Sequence, residues 1–197
     1  MAKAIKALAG NNGGRVFDYR GTGAITANGG RIPLLAMVEH IPVVPNKPGT
    51  EDFDTLARVI RAQGLGLQAA TDREGNVALF TNLNRMCFQA RGLNAASCGV
   101  EHMHMTTGEA WTREQFNASA WLWHYAKVVY GLKKRRGRLA PAGPGLARVV
   151  RTGHVTHQEV STAARFNDRS DPGPGYDFEY VQHAANYFGR RRTFKGA

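Results

Sequence analysis

The chain has 197 residues, 43% of them hydrophobic, with 23 glycines and 8 prolines; that bounds it to one ordinary, loop-rich globular domain with enough apolar content for a real core. No apolar run reaches the roughly 18–20 residues that cross a bilayer, and two cysteines, Cys87 and Cys98, exclude a disulfide framework and read as free thiols. The formal charge of +11 calls for a polyanionic partner, whether nucleic acid, anionic lipid or a wall polymer, without choosing among them.

Residues 1–31 are rich in glycine and asparagine and read as an irregular N-terminal arm, with at most a short strand around Gly23–Thr26. The apolar segment of the opening stretch is too short for a signal peptide, so cytoplasmic synthesis is expected, with any passage to the outside by another route. Arg31 to His40 is an apolar run that Pro42 and Pro45 break, the mark of a buried strand with His40 at its carboxyl end. A helix follows over 51–63, where Phe53, Leu56, Ala57 and Ile60 recur at helical spacing and Gly64 closes the end. Two apolar runs, Leu65–Thr71 and Val77–Phe80, flank a turn containing Gly75 and predict a hairpin.

Residues 86–94 read as a loop and Ser97–Met105 as a central strand. Period two puts Cys98, Val100, His102 and His104 on one face and Gly99, Glu101, Met103 and Met105 on the other. A carboxylate inside an apolar strand is costly unless it is paired or working, which singles out Glu101. Thr112 to Gln115 fits a capping box, and the helix it opens runs to Tyr130 before Gly131. That helix is apolar nearly all round, so it packs between layers with Trp121 and Trp123 as core. The basic run 132–138 reads as a solvated loop, and Ala140–Gly145 as a Pro/Gly linker leading to the apolar run Leu146–Val150. A last helix over Asp177–Phe188 precedes a basic tail, 190–197.

Chemistry concentrates near the end of the chain. Gly153 to Val160 holds His154 and His157, and Asp171 stands before Pro172-Gly173-Pro174. Imidazole nitrogen and carboxylate oxygen are zinc ligands, and three protein ligands with one open position define a catalytic zinc site. His40, His157 and Asp171 can supply the three, with His154 a rival to His157. Glu101 then fits general acid/base chemistry on an amide, and Arg169 is placed to steady an oxyanion. A different arrangement on His102 and His104 is disfavoured because their strand face looks like core.

In order and context these residues match a known pattern. MVEH ends at His40; ATDREGNVALF is a hairpin with Asp-x-x-Gly; FQARGLNAASCGVE carries Asn94 and Glu101; THQEV holds His157; RSDPGP holds Arg169 and Asp171. Together they resemble the zinc-dependent N-acetylmuramoyl-L-alanine amidases, the family that includes peptidoglycan recognition proteins and phage amidase lysins. The resemblance covers about residues 33–188, and Asp-Pro-Gly-Pro after His-x-Glu-Val is its most specific part. There are departures. Gln89 replaces the loop histidine, Phe88 its tryptophan, Thr156 a glycine and Arg169 a lysine, and the loop from His157 to Asp171 is longer.

The resemblance implies an α/β fold: a mixed central sheet of about five or six strands flanked by helices, with a zinc cleft at one face, spanning 32–189. It implies hydrolysis of the amide between N-acetylmuramic acid and L-alanine of the stem peptide. His40, His157 and Asp171 would bind zinc, Glu101 would activate water, Arg169 would steady the oxyanion, and Asn94 and Gln89 would meet substrate. The partner is then bacterial peptidoglycan, and the expected context is a monomeric phage endolysin, cytoplasmic until released to the wall. A bacterial wall-recycling amidase and a non-catalytic recognition module are the alternatives. A nucleic-acid partner is disfavoured because the basic segments 132–138 and 190–195 fit no binding motif.

Overall fold

The computed structural model describes residues 3–5, 14–41, 51–104, 109–173 and 175–191. The expected break over 42–45, the strand residue Met105, Pro174 and tail residues 192–197 lie outside them. In chain order the elements are β1 (Lys3–Ile5), β2 (Val16–Asp18), β3 (Ala36–His40), α1 (Glu51–Ala62), β4 (Ala69–Thr71), β5 (Val77–Leu79), β6 (Ser97–His102), α2 (Arg113–Tyr130), β7 (Arg138–Gly143), β8 (Leu146–Arg151), β9 (Gly153–Thr156), α3 (His157–Ala163) and α4 (Phe178–Arg191).

A mixed sheet runs in the order β1-β2-β5-β4-β6-β3-β9: the six strands β2–β6 and β9, with β1 added at one edge. β4 and β5 form the expected antiparallel hairpin, while β4, β6, β3 and β9 are mutually parallel. Parallel strands need both faces covered, and here they have it. On one face, Met37, Cys98 and Val100 pack under Trp123, Leu122, Val181 and Ala185 of α2 and α4. On the other, α1 covers Phe17, Ala70 and Ala78, and α3 covers Ala36, Val38 and Val155.

Local chemistry explains the helix ends. Thr112 caps α2 by accepting from the Gln115 N–H, Gln115 returns the bond, and Gly131 ends the helix at φ 76°. Trp123 is fully buried, whereas Trp121 is half-buried and stacks on Tyr125.

Three elements differ from expectation. Gly23–Thr26 forms turns, and the strand of this region is β2, held parallel to β5. Three residues are too few for a periodic pattern to show; pairing decides them. The presumed linker Ala140–Gly145 belongs instead to a two-stranded ribbon, β7–β8. Gly143 (φ 148°) and Gly145 (φ 69°) flank its turn, Pro141 is tolerated in an edge ribbon, and Leu139, Ala147 and Val149 pack inward. The segment after His157, read as a loop, begins with α3, capped by Thr156 and Glu159.

One charge lies inside the α2 side of the sheet. Glu39 is 0% exposed and accepts from His102 Nε2 (2.7 Å), Trp123 Nε1 (2.9 Å) and His154 Nδ1 (3.2 Å). His102 in turn accepts at Nδ1 from Thr71 Oγ1 (2.8 Å). Burial pushes the Glu39 carboxyl up, but the bonds from His102 and His154 outweigh it and hold the group at about 2. The network joins β3, β4, β6, β9 and α2 through one carboxylate.

Candidate metal centre

β3, β6 and β9 end side by side, and the carboxyl edge of parallel strands is where such sheets gather functional groups. His40 is the last residue of β3 and pairs in register with Glu101 of β6. His157 is the first residue of α3, placed by the Thr156 cap directly after β9. That cap is braced from outside: Glu159 accepts from Thr156 N (2.7 Å) and forms an ion pair with Arg136. Asp171 arrives on the loop after α3, where Gln158 N–H donates to its carbonyl (3.1 Å) and Ile41 N–H to its carboxylate (3.4 Å).

The three groups converge. His40 Nδ1 lies 3.0 Å from His157 Nδ1, His157 Nδ1 lies 3.3 Å from Asp171 Oδ2, and His40 Nδ1 lies 3.6 Å from the same oxygen. Among the described residues this is the one group of three or more His, Cys, Asp or Glu side chains close enough to hold a metal ion. Two imidazole nitrogens and a carboxylate oxygen cannot all be satisfied by one proton. A tetrahedral zinc with bonds of about 2.0–2.1 Å would set its ligands about 3.3 Å apart, which matches the spacing here. The donor set therefore fits the ion.

The electrostatics are those of a site built for positive charge. Burial pushes Asp171 up, yet the hydrogen bond from His157 and the closeness of both imidazoles hold it well below the ordinary carboxylate range. Burial lowers His157, and the neighbouring His40 adds to that. Burial opposes protonation of His40 as well, but the nearby carboxylates of Asp171 and Glu101 raise it overall.

Glu101 stands beside this cluster with its Oε2 buried and without a hydrogen-bond partner. Burial raises its carboxyl to about 7, against the pull of His40 and Arg169. A carboxyl tuned to that range can both take and give a proton. Arg169 is exposed, and its charge is felt at both Glu101 and His157.

The structure separates the remaining candidates. His154 lies on the other face of the sheet, 0% exposed, bonded to Glu39 and stacked on Trp123 at 3.5 Å. His102 and His104 lie buried on that same side against Trp111, as their core-like face predicted. Gln89 and Asn94 use their amides on the protein itself. Gln89 Oε1 accepts from His40 Nε2 (2.8 Å), and Asn94 Oδ1 accepts from the backbone N–H groups of Gln89 and Ala90 (3.1 and 2.8 Å).

Sequence reasoning missed two supports of the site. Thr-x-x-Glu at 156–159 is a capping signature that would have placed His157 on a helix. Glu39, next to a candidate ligand in a buried strand, carried the same signal of costly burial that singled out Glu101.

Three donors that could hold a metal ion thus meet a buried glutamate at the carboxyl edge of a mixed sheet. The family profile for N-acetylmuramoyl-L-alanine amidases matches residues 31–174, and the chain belongs to that family. No curated protein matches the chain in sequence. Among solved structures it is similar to the N-acetylmuramoyl-L-alanine amidase LysC from Clostridium intestinale URNW, with 15% identity and TM-score 0.59 over 86% of this chain and 97% of that one. The hydrolase AmiA of Staphylococcus aureus, with 15% identity and TM-score 0.60, covers 93% of this chain and 83% of its own. The Ph2119 endolysin from Thermus scotoductus MAT2119 bacteriophage Ph2119, with 16% identity and TM-score 0.55, covers 85% and 98%. At these identities the likeness is one of fold.

Proposed function

We propose that this chain is a zinc-dependent amidase that cleaves the bond between the lactyl group of N-acetylmuramic acid and L-alanine of the stem peptide, acting as a phage-type lysin on bacterial peptidoglycan. The observation that carries the reading is the convergence of His40, His157 and Asp171 beside Glu101, whose Oε2 is buried without a hydrogen-bond partner. The excess positive charge suits a wall rich in phosphates and carboxylates. Among the described residues no helix is long and apolar enough to cross a membrane.

In this reading His40 Nδ1, His157 Nδ1 and Asp171 Oδ2 hold the zinc. When bound, the ion supplies Lewis-acid polarisation of the scissile carbonyl and acidifies a water. Glu101 takes a proton from the attacking water and hands it to the departing L-alanine nitrogen; a carboxyl near 7 is matched to both acts. Arg169, permanently cationic, stabilises negative charge growing on the carbonyl oxygen without giving up a proton. Gln89 and Asn94 shape the loop that borders this space, and exposed Phe88 offers a contact for the sugar or peptide.

The test is metal content measured beside release of L-alanine amino termini from purified peptidoglycan, with and without a chelator. The expected result is about one zinc per chain and release that the chelator abolishes. Peptidoglycan binding with no new amino termini would instead favour a recognition module.

A further inference from the structure

A chain of hydrogen bonds leads away from the metal centre through side chains that no catalytic step uses. His40 Nε2 meets Gln89 Oε1 at 2.8 Å, Gln89 Nε2 meets Ser97 Oγ at 2.9 Å, and Ser97 Oγ meets the Leu93 carbonyl at 2.9 Å. The polarity of this chain is fixed at its far end. A backbone carbonyl can only accept, so the single hydroxyl proton of Ser97 goes to Leu93. Ser97 Oγ must then accept from Gln89, which turns the amide NH2 of Gln89 toward Ser97 and its oxygen toward His40. An amide oxygen can only accept, so Nε2 of His40 carries a proton. In a neutral imidazole that leaves Nδ1 bare, and Nδ1 is the atom that faces His157 and Asp171.

The chain is built into the fold. Ser97 is fully buried. The turn holding Gln89 is pinned by Asn94, which accepts from the N–H groups of residues 89 and 90. The Gln89 side chain crosses β6 over Gly99. A Cβ at position 99 would sit 2.8 Å from Gln89 Oε1 and 2.9 Å from its Cδ, so the glycine gives Gln89 its path to His40.

We propose that Gln89 is a positioning residue that, oriented by Ser97 and admitted by Gly99, fixes His40 as the Nε2–H tautomer and aims the Nδ1 lone pair at the metal position. The proposal rests on the metal reading above for its purpose, but the tautomer itself does not depend on an ion. Removing an outer hydrogen-bond partner of a ligand histidine typically weakens metal binding 10–100-fold.

Two readouts test it. The first is the long-range 15N–1H spectrum of the metal-free protein at pH 9; the expected wild-type pattern has His40 protonated at Nε2. The second is zinc affinity, measured without substrate by competition with a chromophoric chelator. Gln89→Leu is expected to lose the tautomer preference and to bind zinc about 10–100-fold more weakly. Gln89→Glu, which keeps the acceptor for His40, is expected to preserve the tautomer and to bind zinc at least to within about threefold of wild type. Gly99→Ala is expected to weaken binding in the same direction as Gln89→Leu. A wild-type His40 protonated at Nδ1, or a Gln89→Leu variant with unchanged spectrum and affinity, overturns the proposal. A wild-type protein with the Nε2–H tautomer but no zinc affinity upholds the positioning of His40 and overturns the metal reading instead.

Discussion

At the scale of single residues, the proposed mechanism divides the acids: Asp171 as ligand, Glu101 as base. Glu101→Gln keeps the size and hydrogen-bonding reach of the side chain but removes its base. It is expected to retain zinc and to lose turnover by about 10²–10⁴-fold, the range that general acid–base groups supply. In the wild type, kcat/KM is expected to fall on the acid side at or below about pH 7, because Glu101 must be ionised to accept a proton. Turnover of Glu101→Gln close to wild type would remove Glu101 from the mechanism. His157→Ala is expected to abolish zinc binding while leaving the fold intact. His154→Ala is expected to keep the ligands and lose stability, since it opens the bond to Glu39 and the stack on Trp123; metal analysis alongside thermal melts separates the two. Composition around these residues left the choice between the histidines open, but strand parity does not. Val155 packs with Val38 on the α3 side and His154 faces Trp123, so position 157 continues the Val155 side toward His40. His40 and Asp171 were easier to read, because a strand end and a Pro-Gly-Pro turn mark them locally.

At the scale of elements, the buried Glu39 carboxylate ties β3, β6 and β9 to α2. Removing one member of a fully buried charged network leaves its partners unpaired and typically costs about 3–5 kcal/mol. Glu39→Ala is therefore expected to lower the unfolding free energy by about that amount in a urea titration; a loss below 1 kcal/mol would mean that the network adds little. Long periodic elements were legible before the structure: α1, α2 and α4 by their stripes, the β4–β5 hairpin by its turn, β6 by alternation. The elements that escaped are short and depend on others. β2 is made by pairing with β5, the β7–β8 ribbon by packing of Leu139, Ala147 and Val149, and α3 by a cap that an ion pair with Arg136 supports. Their local sequence holds a turn or a cap, but no period long enough to identify them.

At the scale of the whole molecule, the sheet divides two populations of histidine. At the candidate metal centre the two histidines part: His40 is raised despite its burial by the nearby carboxylates of Asp171 and Glu101, and His157 is lowered by burial and by His40. On the α2 side, burial lowers His154, and burial with the nearby His102 holds His104 at about 4. A histidine with a depressed folded-state pKa favours the folded state above the unfolded value near 6.5, and that advantage is lost as pH falls toward the folded value. Thermal stability is therefore expected to drop between pH 7 and pH 5, by up to about 2 kcal/mol for His104 alone. His104→Leu is expected to show a smaller drop over the same interval; an identical drop would assign the pH response to other groups.

The Glu39 network has a consequence for how the protein matures. It braces the three strands behind the metal centre with a carboxylate and donors that belong entirely to the chain. Small zinc domains whose only brace is the ion are unfolded until it arrives. On the proposed zinc reading, a scaffold held this way is expected to fold without the ion, and the metal-free chain to be folded but inactive. Loading would then be the last step of assembly, and a chelator is expected to remove activity while leaving the thermal unfolding transition in place.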